Sequence, residues 1–257
     1  MTSSGNTPAI RFNHMKRHFE RIEDLWSICP ELKNVMVGNG LQGRSGKMQL
    51  SRGTSTPNNL LVMANLILDL EVRNSLETGM AFGASTLAIL AAKKLAGREP
   101  GLHVSIDPFQ QLDFDDCAVM AVDRAGLNHQ TEVCYSLSAV ELPRRLQMGA
   151  RFDLIYVDGS HVFEDAFIDA YFAVRLLREG GVVLFDDSAD RHVAKVVRFL
   201  RTNLVKSLPE LDLRRWRGDL GRSWRYRVGR QLGRVQLTGF QKTAEVQRDY
   251  GTPLGRF

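Results

Sequence analysis

Residues 72–86 constrain this chain more than any other stretch. Leu76 closes a short apolar run, Gly79 and Gly83 follow, and Ser85-Thr86 open a segment whose Leu87, Leu90 and Ala91 recur at helical spacing. That is a strand, a tight glycine turn and a helix. Glycines here let the backbone turn sharply or approach another group closely. The hydroxyls of Ser85 and Thr86 suit free N–H groups at a helix start. In open α/β sheets ligands bind beyond the carboxyl ends of the strands, where this turn would lie. A plain strand–helix connection would look the same locally, so the remainder of the chain has to decide.

The remainder repeats the alternation. Strands are expected at Leu102–Ile106, Glu132–Tyr135, Phe152–Val157 and Val182–Phe185, and helices at about 57–69, 115–126, 139–147, 164–178 and 190–206. The strands are nearly continuous apolar runs, as in a parallel sheet buried on both faces. Leu211–Trp216 and Trp224–Val228, separated by Gly218 and Gly221, read as a closing antiparallel hairpin. The expected fold is therefore α/β: a Rossmann-like, doubly wound, seven-stranded sheet, mostly parallel, with a C-terminal antiparallel hairpin. Three parts are expected. Residues 1–55 hold an N-terminal helix (about 11–28) and a Gly/Ser-rich, lid-like segment (37–58). Residues 56–230 form the ligand-binding domain, and residues 231–257 a basic tail.

The chemistry gathers at the strand ends. Asp107 ends the second strand, 28 residues past Gly79, where an acid commonly accepts hydrogen bonds from ribose hydroxyls. The turn lacks G-x-G-x-x-G and no lysine follows it, so a ligand with a ribose but no phosphate fits better than a dinucleotide or a nucleoside triphosphate. Asp158 closes the fourth strand, and Asp186 and Asp187 the fifth. In a doubly wound sheet these strands are neighbours, so three carboxylates would meet at one rim and repel. A hard divalent cation such as Mg²⁺ would relieve that repulsion. Alternatively Asp187, with Ser188 and Asp190, would cap the next helix. His161, in Gly159-Ser160-His161, is placed to act as a general base at the same rim, with Asp165 available to orient it. There is no Gly-x-Ser-x-Gly elbow and no HExxH, which excludes serine hydrolase and zinc peptidase readings.

Four stretches in order carry a resemblance: Leu76–Thr86, Ser105-Ile106-Asp107, Asp153–His161 and Gly180–Asp187. Together they resemble the class I S-adenosylmethionine (SAM)-dependent methyltransferases, above all the catechol-type and antibiotic-tailoring O-methyltransferases. The resemblance implies that Glu77, Thr78, Gly79 and Gly83 surround the methionine part of SAM, with Ser85 near its carboxylate. Asp107 would bind the ribose, and Ser136, Leu137 and Ser138 would line the adenine. Asp158 would sit near the sulfonium, with Asp158, Asp186 and Asp187 as metal ligands and His161 or Asp158 as the catalytic base. Leu137 departs from the family, in which many members carry an acid to meet the adenine amine. The implied activity is methylation of a hydroxyl on a small molecule.

Charge and composition bear on partners. Residues 201–257 hold 13 Lys+Arg against 5 Asp+Glu, within a chain of net charge +5. That region would make a solvated rim or contact nucleic acid. A nucleic-acid methyltransferase is disfavoured by Asp158-Gly159-Ser160-His161, which stands where base-amine methyltransferases usually carry Asn/Asp-Pro-Pro-aromatic. A non-catalytic cofactor-binding protein is the remaining alternative. Three scattered cysteines, no leader pattern at the N-terminus and no apolar run of spanning length point to a cytoplasmic protein without membrane contact. The apolar faces of 11–28 and 57–69 would cover the sheet or serve a homodimer.

Overall fold

The structure is a computed structural model and describes residues 18–38, 40–51, 53–97, 101–219, 228–229 and 235–257. The elements in order are α1 (Ile22–Ile28), α2 (Pro30–Val37), β1 (Leu41–Gln42), β2 (Met48–Gln49), α3 (Pro57–Asp69), β3 (Ser75–Thr78), α4 (Ala84–Ala96), β4 (His103–Ile106), α5 (Cys117–Arg124), β5 (Thr131–Cys134), α6 (Ser138–Gln147), β6 (Phe152–Val157), α7 (Phe163–Leu176), β7 (Leu177–Phe185), α8 (Arg191–Asn203) and β8 (Thr238–Gln241). Short 3₁₀ turns lie at Asn128–Gln130 and Leu213–Trp216.

The main sheet runs β5-β4-β3-β6-β7-β8, with every pair parallel except β7·β8. The order reverses beside β3, which is the topological switch point where open α/β sheets bind ligands. Alternate strand residues feed opposite cores. Leu154, Tyr156, Val182 and Leu184 pack toward α1–α5. Leu76, Ile106, Ile155, Val157, Val183 and Phe185 pack toward α6–α8. Helix α3 is buried from Asn59 to Asp69, and this explains its apolar sequence all round. Its start is well defined: Pro57 stands in the first turn and the Thr56 side chain accepts from Asn59 N–H at 3.3 Å.

The sheet has six strands among the described residues, and the seven-stranded expectation is corrected. The antiparallel partner of β7 is Thr238–Gln241, inside the stretch read as a tail, with Val182 opposite Gln241 and Phe185 opposite Thr238. The first half of the expected hairpin, Leu211–Trp216, forms no strand: Leu211 N–H donates to the Gly239 carbonyl of β8 at 2.8 Å, beside an isolated bridge from Glu210 to Phe240. Two causes are local. Pro209 has no N–H to continue a ladder. The Asp212 carboxylate then accepts from Arg214 N–H at 3.2 Å and winds Leu213–Trp216 into a 3₁₀ turn. Trp216 is buried there and donates from Nε1 to Asp69 at 2.9 Å. Residues 224–227, the other half of the expected hairpin, lie outside the described residues, as do residues 11–17 of the expected N-terminal helix.

The glycine-rich segment holds a compact hairpin, β1·β2, docked on the α5 entrance. Arg44 N–H donates to the Asp115 carbonyl at 2.7 Å, and Arg44 Nε reaches Asp116 at 2.7 Å. None of the described helices is long and apolar enough to cross a membrane.

The register creates one row at the C-terminal rim. Thr78 lies opposite Ile106 and Val157, and Val157 opposite Phe185. Gly79, Asp107, Asp158 and Asp186, each the next residue along its own strand, therefore emerge side by side. Gly79 has φ +83°, and a Cβ there would stand 2.2 Å from the Asp158 carbonyl oxygen. Gly79→Ala is therefore expected to cost about 2–4 kcal/mol, from backbone strain plus overpacking. A shift of the urea midpoint at unchanged slope would measure it, and a shift below about 0.5 kcal/mol would contradict the close approach.

Candidate active site

The row opens on a cavity of about 420 Å³. Of the residues expected to hold a cofactor, Thr78, Gly79, Asp107, Leu137, Ser138 and Asp158 line it. Phe109, Phe114 and Asp165, not singled out for this cavity from sequence, line it as well. Asp107 is the brace of its upper wall. Its Oδ2 accepts from Met80 and Ala81 N–H at 3.1 and 2.9 Å and from Gln110 Nε2 at 2.9 Å. Its Oδ1 accepts from Phe109 N–H at 2.9 Å. Gln110 also donates to the Ala81 carbonyl at 2.7 Å, holding Ala81 in its left-handed conformation, φ +44°. One carboxylate thus ties the glycine turn to the loop after β4.

Glu77, Gly83, Ser85 and Ser136 stand elsewhere. Glu77 is fully buried behind the turn. Its Oε1 accepts from Ser105 Oγ at 2.7 Å and from the Thr86 hydroxyl, and lies 3.2 Å from His103 Nε2. Burial alone would raise the Glu77 pKa, but the charge and hydrogen bond of His103 and the hydroxyl donors outweigh it and hold it below the usual value. Ser85 is buried at the start of α4. Gly83 backs onto Ala118, which a Cβ would meet at 3.0 Å. Ser136 is partly exposed beside the cavity, with Oγ 3.5 Å from the Leu137 carbonyl.

Below the cavity lies the acidic rim. Asp158 Oδ2 accepts from Ser55 Oγ at 3.3 Å. Burial, then the neighbouring charges of Asp186 and Asp187, push its pKa well up. Asp186 faces inward. Its Oδ1 accepts from Asn59 Nδ2 at 2.7 Å and from Asp187 N–H at 2.8 Å, and its Oδ2 accepts from the Tyr156 hydroxyl. Burial raises the Asp186 pKa as well. Asp187, at φ +46°, turns outward; His161 Nε2 lies 3.0 Å from its Oδ2, and Gln236 Nε2 donates to its Oδ1 at 2.7 Å. Helix α8 is capped by Asp190, which accepts from His192 N–H at 2.8 Å. Asp187 is thereby left to the rim. Ligand atoms of Asp158, His161 and Asp187 all lie within 4.8 Å of one another.

Sequence reasoning missed Tyr156, Asn59, Ser55 and Gln236. Tyr156 left a signal, being the one polar tip in the apolar run Leu154–Val157. Burial, then the charges of Asp158 and Asp186, lift its pKa well above the usual value, so it is a neutral donor.

Comparisons with known proteins bear on the fold and on one segment of the chain. A family model described as a methyltransferase domain matches residues 76–188, which span β3 to the loop after β7. The O-methyltransferase TomG from Streptomyces achromogenes, involved in tomaymycin synthesis and solved with SAM, superposes with TM-score 0.56. It shares 18% identity over 90% of this chain and 93% of that one. An O-methyltransferase from Bacillus cereus, solved with SAH, gives 0.52 at 19% identity over 77% and 86% of the two chains. The SAH-bound methyltransferase PaMTH1 from Podospora anserina gives 0.52 at 13% identity over 85% and 88%. No curated protein matches by sequence search. Residues 76–188 thus match a methyltransferase domain, and the fold is shared with these solved methyltransferases.

The Glu77 cluster predicts a pH signature. Its depressed pKa contributes stability above the usual carboxylate range, and this is lost as pH falls through the folded-state value. Glu77→Gln should lower the melting temperature near neutral pH, with the deficit shrinking as pH drops below about 4, where the unfolded carboxylate protonates. Thermal melts of both proteins from pH 7 to 3 would show this, and a pH-independent deficit would refute it.

Proposed function

We propose that this protein is a SAM-dependent O-methyltransferase acting on a hydroxyl of a small molecule. The observation that carries the reading is the row of Gly79, Asp107 and Asp158 facing one cavity at the switch point, inside the segment that matches a methyltransferase domain. In this reading the cavity holds SAM, with its ribose toward Asp107, its adenine between Leu137 and Ser138, and its methionine part along Thr78 and Gly79. The sulfonium points toward Asp158, so that the methyl group faces the rim.

The methyl group is already activated, and the protein's main task is to align an oxygen behind it. Alignment of this kind contributes roughly 7–11 kcal/mol of barrier lowering. The hydroxyl must also lose its proton. His161 stands at the rim with its Nε2 3.0 Å from Asp187 Oδ2 and its imidazole half-exposed. In metal-free protein His161 takes the proton, and Asp158 balances charge beside the sulfonium. A divalent cation bound at the rim would supply Lewis acidity that lowers the pKa of the hydroxyl. Acceptor choice then falls to surfaces contributed from outside residues 76–188, such as the start of α3, whose Asn59 reaches Asp186.

Isothermal calorimetry with SAM tests the reading. One molecule of SAM should bind per chain, and Asp107→Ala should weaken it by at least tenfold, because the turn loses its brace along with the ribose acceptor. His161→Ala should leave SAM affinity unchanged while cutting kcat/KM for methyl transfer by about 10²–10⁴-fold, the usual worth of a general base. Absence of SAM binding by the unmutated protein would overturn the proposal.

A further inference from the structure

The rim joins two facts that a row of strand-end aspartates does not anticipate. Asp186 is spent. Asn59 Nδ2 and the Asp187 N–H hold its Oδ1 at 2.7 and 2.8 Å, and the Tyr156 hydroxyl holds its Oδ2. Asp186 is also buried, at 5% exposure. In its place an imidazole enters, and the atoms that converge are carboxylate oxygens of Asp158 and Asp187 with a nitrogen of His161. Both outward carboxylates have an orienting donor: Ser55 Oγ at Asp158 Oδ2 (3.3 Å) and Gln236 Nε2 at Asp187 Oδ1 (2.7 Å). Outer partners of this kind fix metal ligands in position. Among the described residues no lysine or arginine pairs with Asp158, Asp186 or Asp187.

We propose that Tyr156 and Asn59 withhold Asp186 from the rim, and that Asp158, His161 and Asp187 form a nitrogen-and-oxygen face for a first-row transition ion such as Fe²⁺, Co²⁺ or Zn²⁺, in preference to Mg²⁺. Mg²⁺ favours all-oxygen surroundings and gives up its waters reluctantly. An imidazole nitrogen suits Fe²⁺, Co²⁺ and Zn²⁺ far better. Three protein ligands on one side leave the other side open for the oxygen of an acceptor. In the loaded protein His161 is a ligand, and the acidity of the hydroxyl comes from the ion. This assignment rests on the methyltransferase reading for its purpose, although the donor set stands on geometry alone.

Because first-row ions outrank Mg²⁺ on many sites, the diagnostic is what each side chain contributes. Full-length protein stripped with a chelator would be titrated with Co²⁺ by visible absorption and with Mg²⁺ by calorimetry. Co²⁺ should bind at least tenfold more tightly than Mg²⁺. His161→Ala should cut Co²⁺ affinity roughly tenfold or more, the range in which a lost donor is felt, and Mg²⁺ affinity less than about threefold. Asp186→Asn should change Co²⁺ affinity by less than about threefold. Independently of any Asp186 variant, the Co²⁺-loaded protein should show a hyperfine-shifted imidazole N–H proton that is absent from His161→Ala. Loss of binding in Asp186→Asn with none in His161→Ala, or no shifted imidazole proton, would overturn the assignment. SAM binding by metal-free protein that takes up no cation would overturn this inference alone. Failure to bind SAM would overturn the reading beneath it.

Discussion

At the acidic rim the Gly79 backbone runs against the Asp158 carbonyl with no room for a side chain, and the arrangement around it depends on that approach. The turn after β3 and the loop after β6 can come that near only because Gly79 has no Cβ. Backbone bonds then lock the row: Gly79 N–H to the Ile106 carbonyl at 2.9 Å, Asp158 N–H to the Thr78 carbonyl at 3.0 Å, and Asp186 N–H to the Val157 carbonyl at 3.0 Å. Asp107 adds the brace across the glycine turn. The cavity above and the carboxylates below are consequences of this seam. A side chain at position 79 would push the two loops apart and separate the cavity from the acidic rim.

The rim shows how crowded carboxylates are managed. Repulsion and burial push Asp158 and Asp186 toward their protonated forms. The protein answers differently at each position. Asp186 is turned inward and given hydrogen-bond donors, which makes it a structural group. Asp158 and Asp187 keep faces toward solvent, each with one orienting partner. Those partners come from outside the matched domain: Ser55 and Asn59 from before β3, and Gln236 from the segment leading into β8. The domain provides the row of acids and Tyr156, and the flanking segments add Ser55, Asn59 and Gln236 as donors that orient those acids.

Much of this was legible in residue order. Apolar strands ending in Asp107, Asp158 and Asp186 announced both the parallel sheet and the row of acids at its rim, because apolar runs and strand-end position are local properties. The C-terminal region was not legible in the same way. Leu211–Trp216 has strand-like composition, yet Pro209 and the Asp212 cap divert it, and Thr238–Gln241 supplies the antiparallel strand instead. Pairing there is settled by which segment reaches the β7 edge, a long-range matter. The boundary between α7 and β7 is similar: Leu177 begins the strand, although the helical spacing reads on to Arg178 and the glycine pair at 180–181 looks like the stop.

The sequence by itself determined the alternating α/β order, the glycine turn at the switch point and the acids at the strand ends, since each is encoded within a few neighbouring residues. Tertiary structure alone decided what those residues face. Glu77 went into a buried cluster with His103, Ser105 and Thr86, whereas Thr78 went to the cavity. Asp186 went to Tyr156 and Asn59, 127 residues from the latter, while His161 joined Asp158 and Asp187. A side chain's partner depends on sheet register and on which distant element packs over it, and no local pattern carries that information.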